Sequence, residues 1–429
     1  MLELRFGAIR GIFGIVVILP LLGLLAFVPR GNAFQANEES LNRAITGLRF
    51  VTGEEPSRRK IGEITKDKAA GKKLIEYAAT KLEKDANLFN VNSLEILGRA
   101  GQILKEQEQA ARFYKAYIVE VKKLGSGKKI ASGYGALIQI LFETRKYKEC
   151  EKTCAEFLDI TLEDEAAFLS ILQLKPVVFR RMVLCHARMG QVDVALEKVD
   201  KMLKDQPENW LNLEFKARIL RDAGRYKDSE KIYGEVLEKI QQDKRLKNEE
   251  KEDFAEEVNY TLTNVYVELK QIDKAGKILK DLLEKHPDNS TYHNDLGYIW
   301  ADNNQKLDEA EMLINKALEL DREARKKKGG INPELDRDNP SYLDSLAWVL
   351  FKKKKFAEAK KVILEAVKDE EEKNIEILDH LGDIHQALGE KSEALKAWKK
   401  AQESATDSPR DQAKKKEVEQ KIKANSENK

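Results

Sequence analysis

The stretch NIEILDHLGDIHQALGEKSEALKAWKKAQ, residues 374–402, reads as an apolar helix, a turn and a second helix. A small residue, Gly382, sits mid-way along the first helix. Ala394 follows it by twelve residues, Trp398 by sixteen and Ala401 by nineteen. Two antiparallel helices approach closely only where small residues mark the crossing, and larger ones then fill the space beside it. Gly389 supplies the left-handed residue that ends the first helix.

Working outward, the same spacing recurs seven more times. Gly98 leads to Ala110, Tyr114 and Tyr117, and Ile138 leads to Cys150, Cys154 and Phe157. Val183 is followed by Ala195, Val199 and Met202, and Ala217 by Ser229, Tyr233 and Val236. Thr263 is followed by Ala275, Leu279 and Leu282, and Ala347 by Ala359, Ile363 and Ala366. Gly297 leads to Ala310, Ile314 and Ala317, one residue late, which places an insertion near Asn303-Asn304. A recurrence of about 34 residues is the signature of stacked helix pairs. Gly190 and Gly224 mark further turns, and Pro207 and Pro287 stop second helices. Intervals between the reference residues run 40, 45, 34, 46, 34, 50 and 35, so several linkers or helices are extended. The longest insertion, Arg322 to Asn339, contains Lys326-Lys-Lys-Gly-Gly330 and Pro333 and reads as an exposed, flexible loop.

These residues resemble the tetratricopeptide repeat (TPR) family in their Leu-Gly, Tyr, Ala, aromatic, Ala and Pro pattern. The resemblance spans residues 91–404 and is closest from Asn209 to Gln402. The block Asn339-Pro-Ser-Tyr-Leu-Asp-Ser-Leu-Ala-Trp348 resembles bacterial members, and the second copy departs from the pattern where cysteines replace the alanine and the aromatic. The resemblance implies an all-α solenoid of about eight antiparallel helix pairs, wound as a right-handed superhelix. It also implies a binding protein with no catalytic function and no cofactor. Residues 37–90 read as a helical N-terminal cap, and residues 405–429 as a polar helix and tail with Val418 and Ile422 at helical spacing.

Composition agrees with this reading. Charged residues make up 35% of the chain and aromatics 7%, a well-solvated helical balance. The 76 Lys and Arg nearly cancel the 74 Asp and Glu, so the net charge of +2 gives no case for nucleic acid. Arg5 and Arg10 precede an apolar stretch, 11–28, interrupted by Pro20. That is the pattern of a secretory signal with Gly31-Asn32-Ala33 as its cleavage site, and the length also suits a short membrane anchor. Either outcome sends the repeats out of the cytoplasm. The only membrane contact expected is through residues 11–28 if they are retained.

Chemistry-bearing clusters read as structural. Cys150 and Cys154 lie one turn apart and Cys185 on the next first helix; they are core thiols, with a Cys154–Cys185 disulfide as the alternative. His380, Asp383 and His385 lack the His-Glu-x-x-His spacing of a metallopeptidase, and no metal site is expected. Gly125-Ser-Gly-Lys-Lys129 lacks the first glycine and the Ser/Thr of a phosphate loop and reads as a linker.

What remains is the concave face of the first helices. Helical spacing puts Tyr260, Asn264, Asn294, Tyr298, Ala301, Asp344, Trp348, Phe351, Asp379 and Asp383 there. Aromatic anchors beside carboxylates suit a partner peptide or protein with an apolar residue and a basic neighbour. The alternative for Trp348 and Phe351 is packing between repeats. The family's clamp for acidic C-terminal peptides uses Lys, Arg and Asn where this chain has Asp, Tyr and Ser, so that ligand is not implied. A glycan or other polymer in an envelope or polysaccharide-export assembly is the second reading of the same groove.

Overall fold

The computed structural model describes residues 37–328, 336–368, 374–406 and 408–426. The apolar stretch 11–28 and the cleavage site at Ala33 lie outside them. Every regular element among the described residues is helical. Three helices come first: α1 (Glu38–Leu48), α2 (Glu54–Lys66) and α3 (Lys68–Lys84). The repeats follow as α4 (Val91–Ile103) and α5 (Gln107–Lys123), α6 (Gly127–Glu143) and α7 (Tyr147–Leu158), and α8 (Glu165–Arg188) and α9 (Val192–Asp205). Next come α10 (Trp210–Asp222) and α11 (Tyr226–Gln242), α12 (Asn248–Glu268) and α13 (Ile272–Lys285), and α14 (Ser290–Asp302) and α15 (Leu307–Lys328). The series closes with α16 (Pro340–Lys352) and α17 (Phe356–Ala366), α18 (Ile375–Ala387) and α19 (Lys391–Ser404), and finally α20 (Pro409–Ser426). The helices form two compact units that meet at residues 198 and 199, within α9.

The repeated spacing sorts burial. All eight reference residues are buried, and so is every residue at the twelve, sixteen and nineteen positions except Met202, which is half-buried. A Cβ on Gly98 would touch the Tyr114 ring at 3.0 Å, and one on Gly382 would sit 2.3 Å from the Trp398 indole nitrogen. The glycine and the aromatic sixteen residues on are therefore one packing unit. Where the twelve position is not alanine, its polar atom bonds across the pair. The Ser229 hydroxyl donates to the Ala217 carbonyl at 2.8 Å, and the Cys150 thiol to the Ile138 carbonyl at 3.4 Å.

One device ends all eight first helices. The seventh residue after each reference position has a left-handed φ: Lys105, Arg145, Gly190, Gly224, Lys270, Asn304, Lys354 and Gly389. The N–H of the next residue then bonds the carbonyl five residues back, from Glu106 to Gly101 at 2.8 Å through Glu390 to His385 at 2.9 Å. This double turn satisfies carbonyls that the helix end leaves open. Five of the first helices start on an asparagine whose side chain accepts a backbone N–H: Asn90, Asn209, Asn289, Asn339 and Asn374. An asparagine oxygen is a good partner for these orphan donors.

Three sequence expectations shift. In the sixth pair Asn304 keeps the common turn, and Lys306 adds a second left-handed residue, so the insertion lies at Gln305-Lys306. The insertion after Arg322 begins as helix, because α15 runs on to Lys328. Arg322 there grips Asp338 through two bonds, of 2.7 and 2.5 Å, and Arg325 holds Asp336 at 2.8 Å; residues 329–335 lie outside the description. In the supposed linker, Gly127 opens α6, where a Cβ would meet the Ala167 carbonyl oxygen at 1.8 Å.

Candidate binding surfaces

In the C-terminal unit, most of the side chains assigned to the concave face bond neighbouring helices. Tyr260 on α12 donates to Asp295 on α14 at 2.7 Å and packs on the Tyr292 ring. Tyr298 donates to Glu376 on α18 at 2.6 Å. Trp348 on α16 donates from its indole nitrogen to Asp302 on α14 at 3.0 Å. Its ring is stacked on Phe351 at 4.9 Å and on His380 at 3.9 Å, so the packing alternative for these two aromatics is the arrangement found. Asp344, fully buried, pairs with the His380 Nδ1 at 2.9 Å while its Oδ2 finds no protein partner. Asn294 is buried beside Asp295. Asn264 and Ala301 differ: Asn264 is half-buried and Ala301 fully buried.

Asp379 and Asp383 are engaged by α20, the polar helix expected at the C-terminal end. Lys421 reaches Asp379 at 2.6 Å and Asp383 at 2.7 Å, Lys414 lies 3.5 Å from Asp379, and Arg410 bonds Glu376 at 3.1 Å. The acidic residues of α18 fall at i, i+3 and i+7, the cations of α20 at i, i+4 and i+11, so each set occupies one helix face. The contacts ascend together along both chains, so α20 runs parallel to α18, as a further first helix would. Val418 is fully buried in the cluster that holds Trp398. A helix with a polar outer face is what the open end of a repeat array requires. Replacing Asp379 and Asp383 by lysine would therefore expel α20 and report on this cap, not on partner capture.

Burial sets the electrostatics. Desolvation pushes the Asp295 carboxyl up to about 6 against the Tyr260 hydrogen bond, which favours the charged form. Glu376 is also desolvated, its largest single influence, but the Arg410 guanidinium, His380 and the Tyr298 hydrogen bond together outweigh burial and bring its carboxyl down to about 2. Desolvation raises Asp344, opposed by His380; His380 itself is raised, the pull of Asp344 and its hydrogen bond outweighing burial. Each shift follows from a helix-to-helix contact.

The three cysteines are buried free thiols, so the alternative Cys154–Cys185 disulfide is not formed. Hydrogen bonding to Cys150, reinforced by burial, keeps Cys154 and Cys185 protonated. Among the described residues no group of three or more His, Cys, Asp and Glu side chains is arranged to hold a metal ion.

A surface not singled out by sequence lies in the N-terminal unit. A cleft of about 970 Å³ opens over α2, α4, α6 and α8, with Tyr114 of α5 among its lining residues. Its α6 wall carries Ala131, Ser132, Gly135 and Ala136, and Gln102, Gln139 and Gln173 contribute one amide from each of three successive first helices. Small and uncharged residues carry no local signal in a sequence, which is why this cleft was not legible there.

Residues 260–325, covering the sixth repeat and most of the fifth, match the family model described as tetratricopeptide repeat. That stretch carries tetratricopeptide repeats. A TPR repeat-containing protein of Pseudomonas aeruginosa is 28% identical over 199 residues, 46% of this chain, and the match spans 28% of that relative's length. Among solved structures, a tetratricopeptide repeat protein from Parabacteroides merdae is 17% identical, covering 67% of this chain and 98% of its own at a TM-score of 0.45. A thermophilic TPR protein from Thermus thermophilus is also 17% identical, covering 50% and 98% at a TM-score of 0.37.

Proposed function

We propose that the protein is a non-catalytic scaffold outside the cytoplasm that binds partner proteins through the exposed first-helix faces of its repeats. The observation that carries this reading is how the repeat positions are spent. Nearly every spaced position is buried in packing or closes a helix-to-helix bond, so the solvent-facing residues of the first helices are left for recognition. A repeat array suits that task because many modest contacts on a preformed surface add up without folding on binding. The extracytoplasmic placement rests on the signal-like residues 1–33. The glycan reading gains no support, since the Trp348 ring that would stack on a sugar is stacked on both Phe351 and His380.

Affinity purification of the full chain from its own cells after mild crosslinking tests the scaffold reading. The same few proteins should recover in near-stoichiometric amounts, and an eluate holding the chain alone contradicts it. Alkaline phosphatase fused after Lys429 tests the placement: an active fusion supports export, and an inactive but stable one overturns it.

A further inference from the structure

We infer that the projecting half of α8 is a self-association surface, on which a second copy of this chain lays its own α8 antiparallel. This face lies outside the spaced repeat positions and does not depend on which partner the array binds.

Length is the first observation. Five of the eight first helices begin seven residues before their reference position, whereas α8 begins eighteen before Val183. The eleven extra residues add about 16 Å of helix. One side of this extension is held: Ile171 and Val178 are buried, and the Ala167 carbonyl lies against Gly127 of α6. The other side is bare. Glu165, Leu169, Leu172, Gln173 and Pro176 are all exposed, and they fall at i, i+4, i+7, i+8 and i+11, which is one helical stripe. Half-buried Arg180, at i+15, ends it. Leu169, Leu172 and the flanking Val177 are 53, 42 and 59% exposed. No other helix among the described residues has more than one large apolar side chain this open. Single exposed apolar residues are ordinary; three together on one helix form a patch.

The second observation is that the stripe complements itself. An acidic end, Glu165, and a basic end, Arg180, frame an apolar middle. Turned about the midpoint between Leu172 and Gln173, two copies set Glu165 against Arg180 of the second copy, Leu169 against Pro176 and Leu172 against Gln173. That is the self-matching contact a two-fold dimer requires. A parallel pair would instead stack like charges at both ends. Pro176 is the third. A proline inside a helix has no N–H for the carbonyl four residues back, which here belongs to Leu172 on the same stripe. In the antiparallel pair the Gln173 amide of the second copy arrives beside that carbonyl and supplies a donor. About four turns of one helix make a smaller contact than standard interfaces, so the pairing is reversible and depends on concentration.

The test is cysteine crosslinking of the full chain in its native cell, with Gln173→Cys beside the two-fold axis and Lys152→Cys on a second helix for comparison. Copper–phenanthroline supplies the oxidant and a non-reducing gel the readout; the three native thiols are buried, so the wild type sets the background. Gln173→Cys should give a disulfide-linked homodimer, and the wild type and Lys152→Cys none. Adding Leu169→Asp should lower the dimer yield about tenfold or more, as loss of a central contact does. The circular dichroism melt of that variant should match wild type, because Leu169 is exposed. Glu165→Arg and Arg180→Glu should each lower the yield, and the two together should restore it. No homodimer from Gln173→Cys, or an adduct with a different protein in its place, overturns self-association. Equal yield from Lys152→Cys, or no effect of Leu169→Asp, overturns the location. Charge reversals that fail to rescue each other overturn the antiparallel register.

Discussion

At Gly382 a single hydrogen stands where a methyl group would run into the Trp398 indole, and Gly297 is held the same way against Ile314 and the Ala310 carbonyl oxygen, 2.7 and 2.9 Å from a Cβ. Adding a methyl to such a contact forces backbone or rotamer shifts costing about 1–3 kcal/mol. Gly297→Ala should lower the urea midpoint accordingly. Gly224 meets nothing within 4 Å, and its φ of 74° is its only constraint, so Gly224→Ala should cost about 1 kcal/mol through the backbone alone. Equal losses in both variants, read by urea unfolding followed by circular dichroism, would undo this distinction. Asp295 gives a pH signature. Its folded value is raised, so folding takes up a proton and the group's contribution to stability falls as pH rises from the ordinary aspartate value toward about 6. Asp295→Asn should therefore gain on wild type across that window and hold a constant lead above it. A difference that does not vary with pH would contradict the assignment.

Among the elements, α20 combines one buried anchor with a row of ion pairs to α18. Val418 is its one fully buried residue among those described, which contributes about 2 kcal/mol, and the ion pairs to α18 each add less than about 1 kcal/mol. Lys414→Glu with Lys421→Glu puts like charges against Asp379 and Asp383. Amides of residues 412–424 should then exchange rapidly while those of α16 keep their protection; unchanged protection of α20 would show that the ion pairs do not hold it. How far the elements were legible also divides by physics. Helix pairs were readable because one steric requirement, small residues at a crossing, repeats at a fixed spacing. The common turn was readable only where glycine supplied the left-handed residue; Lys105, Arg145, Lys270 and Lys354 adopt the same φ with no sequence mark. The extension of α15 was hidden because Arg322 and Arg325 find aspartates beyond an apparent loop.

For the whole molecule, the helical repeat class followed from periodicity, while the candidate surfaces did not. Helical spacing can say that Asp344, Trp348 and Asp379 lie on one side of their helices. It cannot say that His380, Asp302 and Lys421 arrive from other helices to meet them, because those partners are set by the stacking of repeats. The outcome is a C-terminal unit whose polar first-helix residues are largely spent on cohesion and an N-terminal unit with an open cleft. The most direct measurement is site-specific photo-crosslinking in the native cell, with a benzophenone amino acid at Gln139 or Asn264 on first helices, and at Lys152 or Lys400 on second helices. The account predicts discrete partner adducts from Gln139, weaker or none from Asn264, and none from Lys152 and Lys400. Adducts confined to the second-helix positions would contradict it.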